Sequence, residues 1–219
     1  MNVFDVIGPV MIGPSSSHTA GAARLGNVAR TVFAKEPKTA KIGLYGSFAK
    51  TGRGHGTDKA LIAGILGMPP DDVRIRESFE YAKAAGFKFF FEDIDVPGGH
   101  PNTARISLSD DEGNSFTLEG ASIGGGSIKV TKLDDYDVEL SFEIPTIVVR
   151  HIDYPGVIAR VTDELYKSSV NICNFMLSRK KKGGDALMTI GMDSMPEKES
   201  IEHIKKLDHV TGVEVLDRL

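Results

Sequence analysis

The sequence predicts an α+β chain in two parts, a mixed α/β unit over residues 1–142 and a smaller unit over residues 146–219. Three observations predict this. Apolar residues fall at helical spacing in Ala20–Ala34 and Val157–Ser168. Short apolar runs bounded by Gly, Pro, Asp and Asn read as strands between them. The pattern breaks across the acidic stretch Asp134–Glu143, meets Pro145 and restarts at Thr146, which places a boundary at about residues 139–145.

The elements follow in order. Residues 1–12 are a lead-in with a turn of helix around Asn2–Ile7. The first long helix places Leu25, Val28, Ala29, Val32 and Phe33 on one face, and Pro37 ends the segment. Its small residues Ala20, Gly21, Ala22, Ala23 and Gly26 predict close packing on a neighbour. Lys41–Ala49 reads as a strand, Thr51–Asp58 as a glycine loop, and Lys59–Leu66 as a helix capped by Thr57 or Asp58. Asp71–Ala85 reads as a helix and the aromatic run Phe87–Phe91 as a strand or irregular edge. Thr103–Ser109 and Ser115–Gly120 form a hairpin, Ser122–Ser127 a second flexible loop, and Ile128–Leu133 a closing strand.

After the boundary come strand Ile147–His151, a helix with Val157, Ile158, Val161, Leu165 and Tyr166 on its inner face, and strands Asn171–Arg179 and Ala186–Met192. A helix through Lys206 and strand Val213–Leu216 complete the unit. This βαββαβ order is ferredoxin-like. Lys180, Lys181 and Lys182 belong to a solvated hairpin turn.

Composition excludes several function classes. A net charge of −4 argues against a nucleic-acid binder. No apolar run approaches the roughly 20 residues that cross a bilayer. The N-terminus lacks the features of a signal peptide, so the expected compartment is the cytoplasm. The single cysteine, Cys173, permits no internal disulfide and no cysteine-rich metal site, so no metal site is expected on this chain. Its apolar neighbours predict a buried structural thiol.

Two stretches carry candidate chemistry. Ser15, Ser16, Ser17, His18 and Thr19 stand ahead of the first helix, where hydroxyls and free N–H groups suit a small carboxylate. One cap does not use so many hydroxyls. In the second stretch Gly52, Gly54 and Gly56 bracket Arg53 and His55. The spacing is neither a dinucleotide fingerprint nor a phosphate-binding P-loop. His55 is the candidate for proton transfer, with Asp58 to orient its ring and Arg53 either paired to a carboxylate or solvated. His100, His151, His203 and His209 read as turn, strand-end and surface residues, and Asp71-Asp72 and Asp110-Asp111 as turns.

Taken together, Gly13–Thr19, Gly52–Asp58 and Ser122-Ile123-Gly124-Gly125-Gly126 resemble the iron–sulfur-dependent L-serine dehydratases, and more closely the separate beta subunit of the two-subunit form. The unit after 146, with Asp153, Pro155, Gly156 and Val157 at its first strand–helix turn, resembles an ACT domain, and these four are candidate effector-binding residues. The resemblance implies an N-terminal domain like the allosteric substrate-binding domain of some 3-phosphoglycerate dehydrogenases. It implies a [4Fe–4S] cluster held by cysteines of an alpha subunit, acting as a Lewis acid on the substrate hydroxyl. The implied reaction converts L-serine to pyruvate and ammonia, with Ser15, Ser16, Ser17, His18, Thr19, Thr57 and Asp58 around the substrate and His55 catalytic. Gly52, Gly54, Gly56, Gly124, Gly125 and Gly126 would serve loop geometry. The implied partners are the alpha subunit, L-serine and a second ACT unit, paired through an edge such as Ile147–Val149. A non-catalytic amino-acid-sensing subunit is the competing expectation; a regulatory fragment of a phosphoglycerate dehydrogenase would also require a nucleotide-binding domain.

Overall fold

The computed structural model describes residues 11–218, so the helical turn expected at Asn2–Ile7 lies outside the described residues. Two compact units divide the chain: one runs to Asp135 and includes Glu139–Ser141, and the other comprises Tyr136–Val138 and Phe142 onward.

The first unit begins with a π-helical turn, Ser16–Gly21, that runs directly into α1, Ala22–Phe33. Strand β1 is Thr39–Leu44, followed by α2, Ser47–His55, and α3, Thr57–Ile65. A 3₁₀ turn, Val73–Glu77, leads into α4, Ser78–Ala84. Strands β2 (Lys88–Asp93), β3 (Thr103–Ser109), β4 (Ser115–Gly124) and β5 (Ser127–Leu133) follow, and β6 (Tyr136–Leu140) is divided between the two units. The sheet order is β2-β1-β3-β4-β5-β6. Strand β2 runs parallel to β1, while β1–β3, β3–β4 and β4–β5 are antiparallel. Strand β6 occupies part of the acidic stretch Asp134–Glu143, and the division between the two units runs through it.

Helix α3 is apolar all round and buried from Thr57 to Ile65 apart from Asp58 and Lys59, as a helix packed on several sides must be. Its contact with α1 is made backbone to backbone. A Cβ on Gly64 would overlap the Ala23 carbonyl oxygen, and one on Gly26 would overlap the Leu61 carbonyl oxygen. The small residues of α1 therefore do pack closely on a neighbour, and that neighbour is α3. Leu25 seals α1 onto the sheet, where Gly120 leaves room for its Cδ2.

Three local expectations are corrected. Thr51–His55 is the end of a helix, not a loop: α2 forms despite Gly52 and Gly54 because Phe48 is fully buried and the Ser47 N–H donates to the Pro101 carbonyl at 2.6 Å. Gly56, at φ 75° and ψ 22°, ends α2 and starts α3, so neither Thr57 nor Asp58 caps the second helix. L side chains avoid this left-handed conformation, and glycine adopts it freely. Lastly, β4 continues through Ser122 and Ile123 to Gly124, so the second flexible loop is a tight turn at Gly125-Gly126.

The second unit comprises β7 (Thr146–Ile152), α5 (Val157–Lys167), β8 (Ile172–Arg179), β9 (Asp185–Met192), α6 (Lys198–Lys205) and β10 (Val210–Leu216). The sheet order β10-β7-β9-β8, antiparallel throughout, is the ferredoxin-like arrangement. Its core joins Ile147, Val149, Val161, Leu165, Met188, Ile190 and Ile204. Three expectations differ here. Strand β7 is an inner strand, hydrogen-bonded on both sides, so Ile147–Val149 offers no sheet edge; the edges are β8 and β10. Ile158 and Tyr166 are 40% and 77% exposed, because Val157, Val161 and Leu165 already fill the inner face of α5. Cys173 is exposed, since it lies on edge strand β8 beside a register shift between Ile172 and Asn174.

The close α1–α3 contact generates a stability prediction. The substitution Gly64→Ala forces a side chain into backbone and should destabilise the chain by about 2 kcal/mol, within the range for overpacking. The denaturation midpoint checks this, and an unchanged midpoint would contradict the backbone-to-backbone contact.

Candidate active site

The two stretches singled out in the sequence meet around His18. Ser15 is the N-cap of the π turn: its backbone is extended, and its hydroxyl accepts from the His18 N–H at 3.3 Å. Ser16 and Ser17 lie in the first part of the turn, Thr19 at its buried centre. The six-residue turn is wider than an α turn, and such local widening recurs at functional sites.

The His18 ring is partly buried and bonded at both nitrogens. Nδ1 lies 3.4 Å from Ser15 Oγ, and Nε2 lies 3.3 Å from both Ser47 Oγ and Thr51 Oγ1. Its edge meets Phe48 at a centroid distance of 5.4 Å. His55 stands beside it, with ring centroids 4.9 Å apart and planes tilted by 43°. The His55 Nδ1–H donates to the Thr51 carbonyl at 3.0 Å. The Asp58 carboxylate accepts from the Lys59 N–H at 2.8 Å, so the group that orients His55 is the Thr51 carbonyl and not Asp58.

Two imidazoles this close oppose each other's protonation. Burial lowers the His18 pKa from the ordinary 6.5, His55 lowers it further, and a hydrogen bond to the Ser47 backbone raises it in part.

Beside His55 opens a cleft of about 740 Å³ lined by Met11, Gly13, Thr19, Arg53, Lys59 and Arg76, among others. Among the described residues its lining carries two guanidiniums and an ammonium and no carboxylate. Lys59 Nζ donates to the Arg76 carbonyl at 2.9 Å. Gly56 and the N-terminus of α3 form one wall, adding the partial positive charge of a helix start. Thr19 Oγ1 is buried at this cleft without a hydrogen-bond partner, and Thr57 Oγ1, against Gly52, is in the same state. Such a group costs about 1–3 kcal/mol and calls for a reason.

The third motif is brought to the same turn. A Cβ on Gly21 would overlap Ser122 Oγ, a buried hydroxyl without a partner. The Gly126 carbonyl accepts from Arg24 Nη1 at 2.8 Å. Gly124, Gly125 and Gly126 all hold positive φ, which makes the hairpin sharp enough to sit there. Gly54 is open to solvent, while Gly52 makes room for Thr57.

Sequence reasoning missed Ser47, Thr51, Lys59 and Arg76. The i, i+4, i+8 spacing of Ser47, Thr51 and His55 was an available signal once the segment is read as a helix.

In the second unit, Asp153 accepts from the Gly183 N–H at 3.0 Å and from Arg179 Nη1 at 2.6 Å. These bonds, led by that from Gly183, hold its carboxyl below the usual range. Gly156, at φ 89°, starts α5, and Val157 is fully buried in the core. Tyr154 stacks on His209 at 4.1 Å. His151 is buried; its Nδ1–H donates to the Ile152 carbonyl at 2.7 Å, and its Nε2 has no partner, so it is only half satisfied.

The residues do not fit a cluster. Among the described residues no three His, Cys, Asp or Glu gather as a metal site, and the one cysteine is exposed. Among them, also, no helix is long and apolar enough to cross a membrane.

The first unit thus brings a hydroxyl-ringed histidine pair beside a cationic cleft, in a mixed α/β unit followed by a ferredoxin-like unit. The family described as serine dehydratase beta chain matches residues 2–132. The probable L-serine dehydratase beta chain of Bacillus subtilis (strain 168) is 46% identical over 212 residues, 97% of this chain and 96% of the relative. The L-serine dehydratase beta chain of Peptoniphilus asaccharolyticus is 39% identical over 202 residues, 92% and 90% of the two chains. The chain belongs to the serine dehydratase beta chain family. Among solved structures, the ACT domain of a GTP pyrophosphokinase from Chlorobium tepidum covers 33% of this chain and 95% of its own, at 19% identity and a TM-score of 0.28.

The lowered pKa of His18 predicts a pH dependence of stability. The folded chain binds fewer protons at this ring than the unfolded chain. The stabilisation is complete above the unfolded value near 6.5 and is lost as the pH falls through the window below it. Titration of the His18 ring by NMR should give a midpoint below 6.5, and His55→Gln should move it upward. A midpoint at or above 6.5 in the unsubstituted chain would contradict the burial argument.

Proposed function

We propose that this chain is the beta subunit of an L-serine ammonia-lyase, active with a cysteine-bearing alpha subunit, and that the cleft beside His55 takes the carboxylate of L-serine. One observation carries the reading: a cleft lined by Arg53, Lys59, Arg76 and the His55 imidazole, with no carboxylate among its described lining residues and with the buried, unpartnered Thr19 hydroxyl in its wall. Arg53 offers a planar two-point match to a carboxylate. The start of α3 adds its partial positive charge. Thr19 gains the partner it lacks.

His55 then has a defined task. Its Nδ1 carries a hydrogen, because a carbonyl only accepts, so Nε2 holds the lone pair. That nitrogen takes the α-proton of the bound amino acid. Loss of that proton and of the β-hydroxyl leaves aminoacrylate, whose imine form adds water and releases ammonia to give pyruvate. The neutral His18 ring beside it avoids a second positive charge as His55 becomes imidazolium. The [4Fe–4S] cluster expected for this enzyme class has no ligand set among the described residues, and in this proposal it belongs to the alpha subunit. The cytoplasm is the expected compartment.

The test is anaerobic reconstitution of the purified chain with a cysteine-bearing alpha subunit. Neither chain alone should form pyruvate from L-serine, and the pair should. His55→Gln should lower kcat by about 100-fold or more, the usual contribution of a positioned acid or base. Arg53→Ala should mainly raise KM. Unchanged kcat in the His55 variant would remove the proton-transfer role. A pair that binds serine without turnover would favour a sensing subunit instead.

A further inference from the structure

The bonds around Thr51 have a direction that the rest of the site inherits. The Thr51 hydroxyl donates to the Ser47 carbonyl, one turn back on α2, at 2.9 Å. A hydroxyl has one proton, so toward every other neighbour Thr51 Oγ1 is an acceptor. Those neighbours are Ser47 Oγ at 3.1 Å and His18 Nε2 at 3.3 Å. The Ser47 hydroxyl is the one donor left for that 3.1 Å contact, and with its hydrogen there it faces His18 Nε2 with a lone pair. His18 Nε2 then meets two hydroxyl acceptors and carries the hydrogen, beside the ring's hydrogen bond to the Ser47 backbone. His18 Nδ1 is left with a lone pair facing the Ser15 hydroxyl, which itself accepts from the His18 N–H. On the other side, the Thr51 carbonyl accepts from His55 Nδ1–H.

We propose that Thr51 is a positioning residue that sets opposite tautomers on the two histidines: its hydroxyl fixes His18 as the Nε2–H form, and its carbonyl fixes His55 as the Nδ1–H form. The nitrogen left to take a proton at the cleft is His55 Nε2. His18 is held neutral and turned to bond the protein. No other residue touches both rings through its own hydrogen bonds among those described. The lowered pKa of His18 agrees with a ring held in its neutral form. The value of this arrangement for turnover rests on the proposed role of His55; the tautomers themselves do not.

The hydroxyl and carbonyl parts separate by mutation, because Thr51→Val removes only the first. Thr51 is exposed, so the variant leaves the core intact. The experiment is a long-range ¹H–¹⁵N spectrum of the ring nitrogens in the full-length chain. In the unsubstituted chain His18 should show a protonated Nε2 and His55 a protonated Nδ1. In Thr51→Val the Ser47 hydroxyl is released to donate to His18 Nε2, and the His18 signals should collapse toward a mixture of tautomers. His55 should not change, since its partner is main chain. Thr51→Ser should restore His18. Ser47→Ala should keep His18 as Nε2–H, because Thr51 still accepts from it. If His18 keeps its tautomer in Thr51→Val, or loses it in Ser47→Ala alone, the proposal is overturned.

A kinetic arm on the reconstituted pair separates this from the role of His55. Thr51→Val should lower kcat with KM unchanged, and Thr51→Ser should recover it. A shifted His18 tautomer with unchanged kcat supports Thr51 as the residue that sets the His18 tautomer and removes that tautomer from the turnover step, while the role of His55, whose main-chain partner is intact in this variant, is read from His55→Gln.

Discussion

The close approach of α1 and α3 at Gly26 and Gly64 is the contact on which the first unit depends. Each of these glycines meets the backbone of the other helix, so the two axes are held nearer than side chains would allow. Everything at the site follows from where these helices begin. The π turn with Ser15, His18 and Thr19 leads into α1, and Gly56 opens α3. Pulling the helices together puts a hydroxyl-rich turn, a helix start and the end of α2 side by side. The tight Gly124–Gly126 hairpin completes the arrangement by setting Ser122 against Gly21.

The site also carries an energetic cost that calls for a reason. Thr19, Thr57 and Ser122 each bury a hydroxyl oxygen without a partner, and His18 is partly buried beside a second imidazole. A unit selected only for stability would replace such groups with apolar ones of similar shape. Thr19 alone of the three lines the cationic cleft, so its cost has a remedy in an anionic ligand. For Thr57 and Ser122 the structure supplies no such account. Charge works in the same direction: a chain of net charge −4 gathers Arg53, Lys59 and Arg76 around one opening.

Much of this was legible in the sequence, for physical reasons that differ by element. Strand β3 matched because apolar alternation in Thr103–Ser109 is bounded by turn residues on both sides. The ferredoxin-like unit matched because its periods switch cleanly from two to 3.6. The small-residue face of α1 foretold a close helix contact. Helix α2 was illegible because local propensity opposes it: Gly52 and Gly54 weaken a helix that the burial of Phe48 and the Pro101 carbonyl hold in place. That error hid Ser47 and Thr51, whose role appears only when they share a helix face with His55. The exposed position of Cys173 and the inner position of β7 depend on strand order, which a strand's own pattern does not encode. Lys59 and Arg76 reach the cleft from different elements, and no local motif joins them.

The central claim is that serine occupies the cleft beside His55 when the chain works with its partner. The most direct measurement is histidine footprinting with diethyl pyrocarbonate on the reconstituted two-chain complex, read residue by residue by mass spectrometry with and without L-serine. His55, whose Nε2 opens to the cleft, should be modified in the free complex and protected when L-serine is bound, while the exposed His203 reports no change. Equal modification of His55 in both conditions, at serine concentrations that saturate turnover, would contradict the account.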